Sequence, residues 1–78
     1  MTDFPSYVTE AFATLYNENV NSPEYCIAKG SLYDELTRDV RFGEVDAVSV
    51  SRMLHNGEVQ DAEVFIEEVL EGETKING

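Results

Sequence analysis

The sequence predicts an all-α fold, a small bundle of three to five short helices. Three observations carry that reading. Apolar residues recur at helical spacing near both ends of the chain, cap-and-proline pairs stand where helices would start, and asparagine or glycine breaks the pattern between them. At 78 residues and 42% apolar content the chain has the size and makeup of one globular domain. That domain is expected over residues 1–72, with 73–78 as a frayed tail.

Pro5 stands where the first helix begins, with Thr2 and Asp3 before it as capping side chains. Val8, Ala11, Phe12, Leu15 and Tyr16 then lie on one stripe, and Asn17, Asn19 and Asn21 end it. Ser22-Pro23 is the next start signal, a cap followed by proline at the first helical position. Gly30 interrupts the helical pattern that this signal opens. Either one helix runs from about Pro23 to Val40, or a short helix stops at Gly30 and another opens at Ser31. The split is favoured, because Ser31 with Asp34 three residues on resembles a capping box. Leu32, Tyr33, Leu36 and Val40 form the apolar face, and Phe42-Gly43 ends the element.

Between Val45 and Val50 two structures compete. The alternation of Val48, Ser49, Val50 and Ser51 fits a strand, which makes an α+β fold with a short strand near 44–50 the alternative. A helix capped by Asp46, with Ala47, Val50, Met53 and Leu54 as its face and Asn56-Gly57 as its stop, is preferred. An isolated strand could not satisfy its backbone. The last helix repeats the spacing of the first through Ala62, Phe65, Ile66, Val69 and Leu70. Val59 staples its entrance, and Gly72 stands at its stop position.

Charge excludes more than it identifies. Sixteen acids against five cations give a net charge of −11. Direct nucleic-acid binding needs a basic face that releases counterions, and five scattered cations do not supply one. The same field repels anionic membranes, and no apolar run is long enough to span a bilayer. It attracts basic surfaces instead, so the expected partner is a basic protein, itself of the nucleic-acid-binding kind. Solubility alone, or adaptation to a salt-rich cytoplasm, is the competing explanation. The oligomeric state stays open. One cysteine and no signal sequence fit a reducing cytoplasm, the host's if the chain is phage-encoded.

Nothing in the chain points to an enzyme, a cofactor or a metal. His55 is the only histidine and lies beside Asn56-Gly57, where it suits a helix end better than general-base work. Cys26 suits the role of a small packing group better than that of a nucleophile. Nucleophile motifs, glycine-rich phosphate loops, calcium-loop patterns and metal-ligand spacings are all missing.

The segment from Val48 to Gly57, VSVSRMLHNG, resembles the recognition-helix stretch of bacterial helix-turn-helix repressors of the lactose-repressor family. The resemblance covers ten residues and implies a degenerate regulator reading DNA with Ser49, Ser51, Arg52 and His55. The family's first helix and small-residue turn are not recognisable before it. Arg52 also stands among Glu44, Asp46, Glu58 and Asp61, a charge setting that opposes DNA.

From Glu58 to Glu73 there are seven acids and no cation. On a helix Glu63, Glu67 and Glu71 stack one turn apart, with Asp61 and Glu68 beside them. The expected partner-binding residues are therefore Glu58, Asp61, Glu63, Glu67, Glu68 and Glu71, on an outer face that is wholly negative. Like charges one turn apart cost a helix a few tenths of a kcal/mol each, roughly what a Glu–Lys pair would contribute. In size and charge the chain resembles small phage-encoded inhibitors that imitate DNA, such as anti-restriction and anti-CRISPR proteins. That resemblance implies docking on a basic nucleic-acid-handling protein and blocking it. The alternative is a small structural or regulatory subunit that binds through an apolar surface, its tyrosines among the contacts.

Overall fold

Four helices follow one another in the computed structural model, which describes residues 3–75 and the side chains of residues 3–72. They are α1 (Ser6–Asn17), α2 (Pro23–Arg38), α3 (Gly43–His55) and α4 (Val59–Lys75). Among the described residues there is no strand, so the fold is all-α and the α+β alternative falls. Each helix packs on the next, and α1 also packs on α4, which closes a ring whose diagonal pairs do not approach. The connections, residues 18–22, 39–42 and 56–58, are short, and the chain runs up, down, up and down.

Each helix sends three side chains into the core at intervals of three, four or, between Tyr25 and Leu32, seven residues. They are Val8, Phe12 and Leu15 from α1, and Tyr25, Leu32 and Leu36 from α2. Ala47, Val50 and Leu54 come from α3, and Ala62, Ile66 and Leu70 from α4. Phe42, from the loop before α3, completes the set. No buried side-chain nitrogen or oxygen of the described residues lacks a partner.

Several boundaries differ from the sequence expectation. Gly30 does not divide α2: the helix runs through it with the residue exposed and nothing near its absent side chain. Burial of Leu32 and Leu36 on one side and Tyr25 on the other outweighs the cost of one glycine, about 1 kcal/mol. Gly72 likewise lies inside α4, which continues to Lys75; residues 76–78 of the expected tail lie outside the described residues.

The corner between α2 and α3 is set by Asp39, not by Phe42-Gly43. Its amide closes on the carbonyls of Glu35 and Leu36, and its own carbonyl accepts from the amides of Phe42 and Gly43. Val40 therefore falls in the turn, 99% exposed, and is not part of the core face. Helix α3 starts at Gly43, whose φ of 79° makes the sharp entry, so Asp46 sits in the first turn and is not the cap. At the start of α1 the cap position is Pro5, which supplies no side-chain hydrogen bond; Thr2 lies outside the described residues.

Two ends match the expected chemistry closely. The Ser22 hydroxyl accepts from the Tyr25 amide at 3.1 Å, with Pro23 at the first position of α2. At the end of α3 the Glu58 amide reaches the Met53 carbonyl at 2.9 Å and the Gly57 amide the Leu54 carbonyl at 3.1 Å. This is a Schellman ending with Gly57 at φ 81°. A side chain on Gly57 would also meet Val20 Cγ2 at 3.1 Å, so two constraints require glycine there.

The two glycines should thus respond oppositely to alanine. Gly30→Ala should raise stability by about 0.5–1 kcal/mol. Gly57→Ala should lower it by about 1 kcal/mol or more, and thermal melts of the two variants should separate by about 6 °C or more. Equal shifts would show that the position of the glycine does not matter.

Candidate functional site

Helix α4 presents its most exposed residues, Gln60, Asp61, Val64 and Glu68, along one stripe. Glu58, which precedes the helix, is exposed as well. Glu63, Glu67 and Glu71 sit half-buried on the flank. The outer face is therefore rotated from the expected Glu63–Glu67–Glu71 line, and it is not wholly negative, since Val64 is 43% exposed at its centre. The cause is packing on both sides. Helix α4 lies between α1 and α3, so its buried arc is wide and the residues beside it are drawn in.

Glu63 shows how. Its carboxylate accepts the Tyr16 hydroxyl of α1 at 2.6 Å, a link between residues 47 apart in sequence. Burial, then this hydrogen bond, then the carboxylate's charge push the Tyr16 hydroxyl up to about 12. Glu71 also interacts within the chain. Of the six expected binding residues, Glu58, Asp61 and Glu68 are the exposed ones.

A second acidic centre lies at the α2–α3 corner and was not expected from the sequence. The Asp39 carboxylate accepts the Tyr7 hydroxyl at 2.7 Å, Arg41 Nε at 2.9 Å, Arg41 Nη2 at 2.7 Å and the Arg41 amide at 3.0 Å. The Arg41 guanidinium holds the Asp39 carboxyl far below the usual carboxylate range, with the Tyr7 hydroxyl contributing and burial opposing. Burial pushes the Tyr7 hydroxyl up, and the neighbouring carboxylate adds to that. The cluster fastens the start of α1 to the corner and is structural.

Two grooves flank α2 and differ in sign. The one shared with α1, about 430 Å³, has Ala11, Ala28 and Leu32 in its lining and Glu10, Glu24 and Glu35 among its acids. Ile27 stands beside it, 71% exposed. The groove shared with α3, about 780 Å³, is lined by Lys29, Tyr33, Val48, Ser51, Arg52, His55 and Asn56 and contains no carboxylate. Pairs such as Lys29 and Arg52 could not be read as neighbours until α2 and α3 were packed.

Among the described residues no group of three His, Cys, Asp or Glu could hold a metal ion, and no helix is long and apolar enough to cross a membrane. His55 is the last residue of α3, as its place before Asn56-Gly57 implied. Cys26 is exposed in the first turns of α2 and does not pack as a small apolar group. The helix-turn-helix resemblance meets a four-residue corner between α2 and α3, and Arg52 and His55 face the α2–α3 groove. No protein-family model, characterised protein or solved structure matches the chain.

The Asp39 cluster makes a pH-dependent contribution whose sign is fixed. A folded carboxyl held below its unfolded value stabilises above about pH 4 and loses that contribution as pH falls further. Asp39→Asn should cost about 1–3 kcal/mol at neutral pH. The gap between the melting temperatures of the two proteins should close as pH falls below about 4. A gap that is constant from neutral to acid pH would show that ionisation of Asp39 contributes nothing.

Proposed function

We propose that this is a non-enzymatic acidic binding protein that docks on a basic, nucleic-acid-handling protein and blocks it, in the manner of an inhibitor that imitates DNA. The observation that carries the reading is the outer stripe of α4, where Glu58, Asp61 and Glu68 face solvent with no cation between residues 58 and 72. Carboxylates so placed can occupy arginines and lysines that otherwise hold phosphate. Val64, exposed between Asp61 and Glu68, supplies an apolar contact within the charged surround. The place of action in this reading is the cytoplasm, that of a host if the chain is phage-encoded.

A second reading has its own observation. Ile27, exposed beside the apolar lining of the α1–α2 groove, fits a subunit that binds through an apolar surface while the acids merely solvate the outside. The two separate by salt. Charge-led docking weakens as the screening length shrinks, and apolar docking does not.

The test is capture of partners by the tagged protein from its native or host cell at low and at high salt. On the inhibitor reading, a basic protein is retained at low salt and released by high salt or by duplex DNA. Joint neutralisation of Asp61→Asn and Glu68→Gln should slow its association about tenfold, since steering depends on such rim charges. Retention that ignores both salt and this double substitution sinks the inhibitor reading. Loss of retention in Ile27→Asp instead would establish the apolar one.

A further inference from the structure

The α2–α3 groove is anomalous in a chain with this charge. Acids outnumber cations sixteen to five, so a cation placed at random meets a carboxylate readily. Arg38 and Arg41 do, with Glu35 and Asp39. Lys29 and Arg52 make no ion pair among the described residues, and both line the same groove. None of the groove's seven lining residues is acidic. Its remaining polar groups are hydrogen-bond donors or can serve as such: the Ser51 hydroxyl, the Asn56 amide, the Tyr33 hydroxyl and the His55 ring.

The helices explain the convergence. On α2, Lys29 and Tyr33 lie one turn apart on the side turned to α3. On α3, Val48, Arg52 and His55 follow one another at intervals of four and three residues, so they share a stripe, with Ser51 beside it. The half-buried ring of Tyr33 and the side chain of Val48 give the groove an apolar wall next to its charged one. The groove is shallow and open to solvent, with Arg52, His55 and Asn56 exposed along it and within reach of a small ligand.

From this juxtaposition of two cations without an ion pair, several donors and an aromatic wall in a groove that no carboxylate of the described residues lines, we propose a binding site for a small phosphate ester with a planar ring, of the nucleoside monophosphate kind. Arg52 offers a planar fork that fits phosphate oxygens, and Lys29 adds a point charge. Two cations match the charge of one phosphate group. A nucleic acid is a different case: its many phosphates would face the whole field of −11, which two local cations do not offset. The site uses other helices and the opposite charge from the docking stripe of α4, so either can stand without the other.

The test is a titration of the full chain, labelled for amide NMR, with adenosine 5′-monophosphate, with adenosine, and with a short DNA duplex. The expected result is saturable shifts from the monophosphate at Lys29, Tyr33, Ser51, Arg52, His55 and Asn56, with adenosine much weaker and the duplex inert. The joint substitution Lys29→Ala and Arg52→Ala should weaken binding about tenfold or more, since it removes two charge-assisted contacts. Its melting temperature reports whether the fold is intact; Arg52→Lys, which keeps the charge but not the fork, should weaken binding less. No saturable shift with the monophosphate would overturn the proposal. So would shifts spread over α1 and α4, shifts that persist in the double variant, or a duplex that binds the same residues more tightly.

Discussion

The hydrogen bond from the buried Tyr25 hydroxyl to the Leu54 carbonyl, 2.6 Å long, is the contact on which the arrangement of helices depends. Tyr25 lies in the first turn of α2 and Leu54 in the last turn of α3, so the bond sets the relative height of these two helices. Other contacts converge on the same place. The Tyr25 amide is capped by Ser22, the Leu54 carbonyl also receives the Gly57 amide, and Gly57 abuts Val20 from the first loop. The α1–α2 loop, the start of α2, the end of α3 and the turn into α4 therefore share one junction. Fully burying such a ring without a partner for its hydroxyl would cost about 1–3 kcal/mol. Leu54 supplies that partner, and burial pushes the Tyr25 hydroxyl pKa up.

Much of the fold was legible because the core is local and periodic. The stripes of α1 and α4 could be read from spacing, apart from Tyr16, which is 50% exposed, while Ser22-Pro23 marks the start of α2 and Asn56-Gly57 the end of α3 by chemistry that acts over a few residues. The errors share a cause. Gly30 and the Ser31–Asp34 pair are local signals that packing overruled: burial of Tyr25 before Gly30 and of Leu32 and Leu36 after it holds α2 together, while the alternation at 48–51 lies inside α3 as the preferred reading had it. Asp39 is missed for the opposite reason. Its partner Tyr7 is 32 residues away, and no spacing rule connects them.

The candidate site was legible as composition and not as geometry. That α4 is acidic is plain from counting, but which carboxylates face solvent depends on how α1 and α3 press against it, and Tyr16 holding Glu63 is part of that answer. The cationic groove was hidden more completely. Lys29 and Arg52 are 23 positions apart and look like scattered charges until α2 and α3 are laid side by side. Charge in this molecule is sorted by face, and a net value of −11 conceals the sorting.

The two junctions of the bundle are built from different chemistry. At one end Tyr25 and Leu54 join through neutral groups; at the other Tyr7, Asp39 and Arg41 join through a carboxylate. Protonation acts on the second, and at the first end it acts on Glu63, whose carboxylate accepts the Tyr16 hydroxyl between α1 and α4, but not on the Tyr25–Leu54 bond. Acid therefore weakens the ion-paired corner that holds the start of α1 to the end of α2, whereas the bond joining α2 to α3 contains no group that titrates in acid. Sensitivity to acid is thus divided among helix pairs: the α1–α2 and α1–α4 contacts each include a carboxylate, and the α2–α3 bond does not.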